Sequence, residues 1–470
     1  MDSTTAAPVH AHRGAERRWL VLGAVVWLSL HVFLLWLYYE PTIKPLIGDE
    51  YDYNRRALAL LAGTSSTETF IWPPGQTWFI AAIYALAGQH LIAVQLAQIV
   101  LLAICTLLLV RLCGTLTDPR TAWFAGALFA LNPATLAHAH WLWPEVTHLV
   151  CLLGALCLMF TPLRYLPSRA FAAGALIGLA LLFKSLLGVF WPLLLLVYLR
   201  EDHARRSFAW IPALAFLGGL LLATSPALWK GYAETGRPLI ADSSIYNLYV
   251  GLRDMSRSDY IDEAGAPALK AFIESAPTPH ERNSAYFDKI VALADHRGTI
   301  TLLAERLGVQ YFRLFNAKTL LVSQLPGPAC SGRLGAYANP STAPFVAGAS
   351  HLAHTTTLAL AAFGIVLWRR WRAPLALFSG AFIAYQLALY LGLHVMQRYL
   401  FQMLPFLCVF GGVLLAVLVQ RARGRGAAIV AAPAGDYFHF SAMRIFAGLI
   451  LAVALLCLAF LGPVLDGACR

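Results

Sequence analysis

The chain has 470 residues, of which 59% are hydrophobic and only 13% charged, against about 25% charged in a soluble globular domain. That balance excludes a protein for which water is the main solvent. The formal net charge of +11 does not read as a nucleic-acid footprint either, because the basic residues fall in short clusters between apolar runs and serve as topology signals.

In chain order, the first apolar run is WLVLGAVVWLSLHVFLLWLYY at 19–39, long enough to cross a hydrocarbon core about 30 Å thick. Its length, with no small-x-small cleavage pattern after it, predicts a retained helix rather than a signal peptide. A first outer loop follows at 40–90. Within it, Pro73-Pro74 opens a short helix over 73–88, placed along the outer surface because about 16 residues are marginal for a span. Further spans are predicted near 91–111, 121–139, 146–162, 168–183, 186–199, 208–226, 345–368, 374–393, 399–420 and 443–464, about 11 in all.

The basic clusters orient them. Arg13, Arg17 and Arg18; Arg111 and Arg120; Arg164 and Arg169; Arg200, Arg205 and Arg206; Arg369, Arg370 and Arg372; and Arg421, Arg423, Arg425 and Arg444 mark cytoplasmic ends. Two spans between 73 and 112 would put Arg111 and Arg120 outside and invert every later loop. The predicted fold is therefore an all-α polytopic transmembrane bundle, amino terminus inside and carboxyl terminus outside. It divides into 1–226, an extracytoplasmic loop 227–343, and carboxyl-terminal helices 344–470. In the long loop, Leu303, Leu307, Tyr311 and Leu314 recur at helical spacing, which predicts an amphipathic helix over 300–320 resting on the outer leaflet.

The eight cysteines include no CxxC pair and no zinc-like spacing. Cys105, Cys151, Cys157, Cys408 and Cys457 lie in apolar runs and read as small core side chains. Cys330 and Cys469 fall on the predicted exterior, where a bridge between them is the alternative.

Charge is concentrated where such a chain would avoid it. Asp49 and Glu50 stand together in IGDEYDYNRR, just past the first span, with Tyr53 and Asn54 adding hydrogen-bonding groups. Simple solvation explains a carboxylate pair in an outer loop; facing a shared cavity explains one at membrane depth. A second outer turn, HWLWPEVTH at 140–148, offers Glu145 after Pro144, a helix-start pattern. His148 lies on the same face, and His138 and His140 precede the turn. Glu with His suits a divalent metal, although interfacial histidines explain the pattern equally well. Lys184 interrupts ALLFKSLLGVF, either to snorkel or to meet a phosphate. Arg398 is the only basic residue of its outer loop, LHVMQRYLFQMLP, and reads as an anion partner. No Walker loop, Rossmann fingerprint or other glycine-rich nucleotide cradle is found, which argues against a nucleotide-sugar donor.

GDEYDYNRRALALLAG at 48–63 and WPPGQTWFIAAIYALAG at 72–88 together resemble the first outer loop of GT-C glycosyltransferases. In particular they resemble the dolichyl-phosphate-mannose-protein mannosyltransferase and aminoarabinose transferase group, family 39 and its relatives. LNPATLAHAHWLWPEVT resembles their second outer loop, LLFKSLLGVFWPLLLL their Leu-x-Lys-Gly-Pro region with Ser185 in place of glycine, and QRYLFQMLPFL their Arg-Tyr-x-x-Pro segment; SSIYNLYVG also matches.

The resemblance implies inverting transfer of a sugar from a polyprenyl-phosphate donor to a protein, lipid or glycan acceptor. Asp49 is the implied base, with Glu50 beside it. Lys184 and Arg398 contact the lipid phosphate, with Tyr53 and Tyr399 assigned to the donor, and Glu145, His148 and Asn247 to the acceptor or second loop. No cofactor is assigned, and a divalent metal is left open. Glu145 departs from the aspartate of many relatives, and the long outer loop is short for the folded luminal insertion of eukaryotic members. A bacterial, multi-pass inner-membrane enzyme with an extracytoplasmic site is expected. A carrier or flippase of lipid-linked sugars is the alternative, and the lack of internal repeats speaks against it.

Overall fold

The computed structural model describes residues 8–39, 46, 48–64, 70–160, 166–200, 210–253, 262–317, 342–422 and 437–465. Among these residues the chain is helical, with no strand and one isolated bridge between Trp368 and Phe438. The helices are α1 (Pro8–Tyr39), α2 (Asp49–Leu61), α3 (Gly75–Ala87), α4 (Leu91–Cys113), α5 (Pro119–Ala130), α6 (Pro133–His138), α7 (Glu145–Met159), α8 (Pro167–Phe183) and α9 (Trp191–Arg200). They continue as α10 (Trp210–Thr235), α11 (Ser244–Arg253), α12 (Asp262–Ile273), α13 (Pro279–Arg297), α14 (Thr299–Val309), α15 (Thr342–Leu367), α16 (Pro374–Gly392), α17 (Leu404–Ala422) and α18 (Ala442–Leu465).

Six of the described helices, α4, α10 and α15 to α18, are long and apolar enough to cross a membrane, and α1, α3, α7 and α8 contribute shorter apolar stretches. Two predicted spans are redrawn. The run at 121–139 is broken: α5 ends at Ala130, and Asn132 lies extended (φ −69, ψ 125) and caps α6 through Ala134 N. Pro133 is the cause, since a residue before proline is driven out of the helical region. The run at 186–199 begins as a 3-10 turn, Ser185–Leu187, and α9 starts only at Trp191. At 1.5 Å per residue, helices this short rise about 15–18 Å, well under the hydrocarbon thickness. The expected helix 73–88 is present as α3.

Packing is centred on α17, whose residues Leu404 to Leu414 are all buried, as expected of a helix apolar all round. It lies between α5 and α15, with Gly412 against the Ala125 backbone and Gly364 against Phe410. By contrast α18 exposes Met443, Ile445, Phe446, Leu449, Ile450 and Val453, the apolar surface a bilayer would cover. Helices α8 and α10 approach closely through glycines: a Cβ on Gly174 would meet the Phe216 carbonyl, and one on Gly219 the Phe171 carbonyl. Gly174→Ala is therefore expected to destabilise by about 1–3 kcal/mol through overpacking. Gly218→Ala, whose Cβ meets only the Phe171 ring at 3.9 Å, leaves the unfolding midpoint unchanged or raises it. Thermal unfolding in detergent separates the two.

The first predicted outer loop meets the long one. Helix α2 packs on α3, Phe70 O accepts from Asp242 N, and Ile71 and Trp72 join Tyr246, Phe272 and Tyr286 in one apolar cluster. The expected amphipathic stretch at 300–320 is α14 followed by a 3-10 turn, Tyr311–Phe315. Ile300, Leu303 and Leu307 are exposed, but Leu314 is fully buried and Tyr311 Oη donates to Leu387 O. The helix is held from its other face by buried Arg306, which donates to the Gly251, Leu391 and Tyr390 carbonyls. The described cysteines are free thiols; the Cys330–Cys469 alternative lies outside the described residues.

Candidate active site

Helix α2 begins at Asp49 because Gly48 takes a left-handed φ of 57, a conformation glycine adopts without a Cβ penalty. Asp49, Glu50 and Asp52 fill its first turn, where carboxylates complement the helix dipole. Successive helical residues point about 100° apart, so the acidic doublet divides. Asp49 forms an ion pair with Arg398, 349 positions away. Glu50 turns inward, fully buried, and accepts from Leu142 N at 2.9 Å. The structure thus places Glu50 among groups that hold the second outer turn, apart from the Asp49 pair that the sequence had given it as a catalytic partner.

One helical turn after Asp49, Tyr53 shares its face and is buried. Burial, then the Asp49 and Glu145 carboxylates, push its hydroxyl well above the ordinary range, so it stays neutral. Asp52 is likewise raised, by burial, against the nearby Arg55 at 3.5 Å.

A second ion pair lies beside the first. Glu145 opens α7 and its Oε1 accepts from Lys184 Nζ at 3.0 Å, with side-chain exposures of 2% and 18%. Lys184 ends α8 in an extended conformation. Gly75, at the start of α3, sits against the Leu182 carbonyl in the last turn of α8, where a Cβ would clash at 2.6 Å. Burial pulls the Lys184 ammonium below its ordinary range, with the Glu145 carboxylate opposing. Glu145 Oε2 is buried with no hydrogen-bond partner.

The cations share an aromatic floor. Lys184 Nζ lies 4.7 Å from the Tyr399 ring centre, and the Arg398 guanidinium 4.5 Å from Trp143 and 5.6 Å from Tyr399. Tyr399 stacks on Tyr390 at 5.1 Å. Arg398 and Tyr399 belong to a 3-10 turn, Gln397–Gln402, immediately before α17, and Gln402 Nε2 donates to Glu145 O at 3.3 Å. Burial works against the Arg398 charge, but Asp49, Tyr399 and Glu145 together outweigh it and hold the guanidinium well above its ordinary range. Two acids and two bases so enclosed balance in charge, which is what makes burying them tolerable.

The structure therefore brings together Asp49, Tyr53, Glu145, Lys184, Arg398 and Tyr399. His148 is buried nearby but its Nδ1 bonds the Ala180 carbonyl at 3.0 Å, tying α7 to α8. Asn247 Nδ2 donates to the carbonyl of Ser243, just before α11, and its own carbonyl accepts from His394 N, four residues ahead of Arg398. The histidines weighed with Glu145 as metal ligands bond elsewhere: His138 Nδ1 contacts Ala134 O at 2.6 Å and His140 Nε2 contacts His31 Nδ1 at 3.0 Å. Among the described residues no three His, Cys, Asp or Glu side chains form a metal-holding group. Sequence reasoning missed Trp143, Tyr390 and the buried glutamines Gln76, Gln95 and Gln98. Gln95 and Gln98, three apart inside the apolar α4, carried a usable signal, since polar residues within a span are rarely idle.

Residues 72–229 match the family model for dolichyl-phosphate-mannose-protein mannosyltransferase. The match spans about a third of the chain and bears out the resemblance read from its motifs. It includes Glu145 and Lys184; Asp49 and Arg398 lie outside it. A comparison with curated proteins finds no match. Among solved structures, the chain is similar to ArnT from Cupriavidus metallidurans bound to undecaprenyl phosphate, at 16% identity and TM-score 0.39, covering 87% of this chain and 78% of that one. It is also similar to the apo oligosaccharyltransferase of Archaeoglobus fulgidus, at 13% identity and TM-score 0.42, covering 96% of this chain and 56% of that one.

Breaking the second ion pair tests how tightly the cluster is built. Lys184→Met leaves Glu145 buried without its cation and is expected to destabilise by about 3 kcal/mol. Adding Glu145→Gln recovers most of that loss. Thermal unfolding of the two single variants and the double variant closes the cycle.

Proposed function

We propose that the chain is an inverting glycosyltransferase that moves a sugar from a polyprenyl-phosphate donor to an acceptor at the extracytoplasmic face of the inner membrane. The observation that carries this reading is the side-by-side placement of the Asp49–Arg398 and Glu145–Lys184 pairs over Tyr399. Cations suited to a phosphate and a carboxylate suited to a proton thereby share one site.

In this reading the bilayer holds the polyprenyl tail and the donor phosphate settles between Lys184 and Arg398. A phosphate on Arg398 competes with the Asp49 carboxylate for the same guanidinium, so donor binding frees Asp49 to act. The acceptor hydroxyl or amine attacks the anomeric carbon, its proton passes to Asp49, and the bond from that carbon to the phosphate oxygen breaks with its electron pair on the leaving phosphate. Arg398 and Lys184 stabilise the charge that develops there. The unpartnered Glu145 Oε2 is available to accept from a sugar hydroxyl.

The test is to incubate the purified protein with labelled polyprenyl-phosphate sugar and a cell-envelope fraction as acceptor source, and to follow release of free polyprenyl phosphate. A transferase releases it in step with label entering the acceptor. Donor that stays intact, with movement across vesicles, favours a carrier instead. Running the assay with and without a chelator decides whether a divalent metal takes part.

A further inference from the structure

We infer that Gln76, Gln95 and Gln98, together with Glu50, are positioning residues for the transfer proposed above, an inference that rests on that reading. They fix the segment 139–142 so that Trp143 and Glu145 stand at the two cations. This segment is the non-helical link between α6 and α7, and four successive carbonyls of it are caught by glutamine amides. Gln98 Nε2 donates to Ala139 O at 3.1 Å and to Trp141 O at 2.5 Å. Gln95 Nε2 donates to His140 O at 2.9 Å, and Gln76 Nε2 to Leu142 O at 3.2 Å.

The glutamines are also bound to one another and to the turn they hold. Gln76 Nε2 donates to Gln98 Oε1 at 3.2 Å, and Thr147 Oγ1 donates to Gln76 Oε1 at 2.9 Å. Glu50 accepts from a backbone donor of the same segment, Leu142 N. All three glutamines and Glu50 are at most 1% exposed.

Irregular backbone inside a membrane protein must have its polar groups met by protein, and that need alone explains some buried amides. The location of the break explains the rest. A continuous helix through 139–142 would satisfy its own carbonyls and need no glutamine. The break delivers Trp143 beneath the Arg398 guanidinium and Glu145 to Lys184. Glu50, next to Asp49 in α2, holds Leu142 N, and Gln402, four residues after Arg398, holds Glu145 O three residues further on. The network therefore links both ion pairs through one short piece of backbone. Misplacing such groups by about 1 Å lowers transition-state stabilisation by about 10²-fold without removing any reacting atom.

The experiment uses the full chain in detergent with Gln98→Met, near in shape but without donors, and Gln95→Met. Gln98→Met is expected to raise amide hydrogen exchange at 139–143 by tenfold or more while α4 and α7 stay protected. It lowers kcat for donor turnover about 10- to 100-fold, with the donor KM within threefold. Gln95→Met, which frees one carbonyl rather than two, changes both readouts less and serves alone if Gln98→Met does not fold. Unchanged exchange in a folded variant, or raised exchange with unaltered kcat, overturns the inference while leaving the transferase reading in place. A wild-type protein that never consumes the donor removes both.

Discussion

Asp49→Asn lowers sugar transfer by about 10²- to 10⁴-fold, the range that a general base contributes, while the protein stays folded. Asparagine keeps the size of the side chain and an oxygen able to accept from Arg398, so the local packing survives. The change also removes the internal competitor for the guanidinium, and donor affinity is expected to hold or tighten. Initial rates of polyprenyl phosphate release, set beside donor binding to the same variant, read both effects. Turnover within threefold of wild type would take Asp49 out of the chemistry. A loss of donor binding in parallel with rate would instead give the carboxylate a binding role.

Arg398→Lys is expected to lower kcat/KM for the donor by about 10²- to 10³-fold, the scale of losing one oriented partner of a developing anion. Lysine keeps the charge but not the planar fork that can grip a phosphate in two places, and it does not reproduce the face-on contact with Trp143 at 4.5 Å. Arg398→Gln removes the charge as well and leaves Asp49 without its cation, so it lowers both activity and the unfolding midpoint. Adding Asp49→Asn to Arg398→Gln is expected to restore the midpoint and not the activity. That split separates the structural pairing from the phosphate contact. Steady-state kinetics over a donor series, with thermal unfolding of the same samples, distinguishes the two contributions.

Much of the helical layout was legible from local pattern. The runs that became α4, α10, α15, α16, α17 and α18 show the length and apolarity that each helix carries in itself, and α3 followed from its paired prolines. The break between α5 and α6 was also written locally, in Asn132-Pro133, but a continuous apolar count passes over a single proline signal. Within the candidate site, Asp49, Glu145, Lys184 and Arg398 stood out one by one because an ionisable group beside apolar chain demands compensation.

Which group compensates which was not readable. Asp49 meets Arg398 across 349 positions and Glu145 meets Lys184 across 39, and no local periodicity encodes such pairings. The division of the acidic doublet depends on which side of α2 faces the 139–142 segment, and that face is set by packing against α3. Asn247 matched a motif yet spends its side chain on Ser243, at the start of its own helix, whereas Gln76, Gln95 and Gln98 matched none and hold the turn that carries Trp143 and Glu145. The sequence by itself determined the solvent, the helices and the identity of the costly charges, since these follow from residue type and short-range spacing. Only the tertiary structure decided their partners, because a buried charge or carbonyl is satisfied by whatever the fold brings within about 3 Å of it.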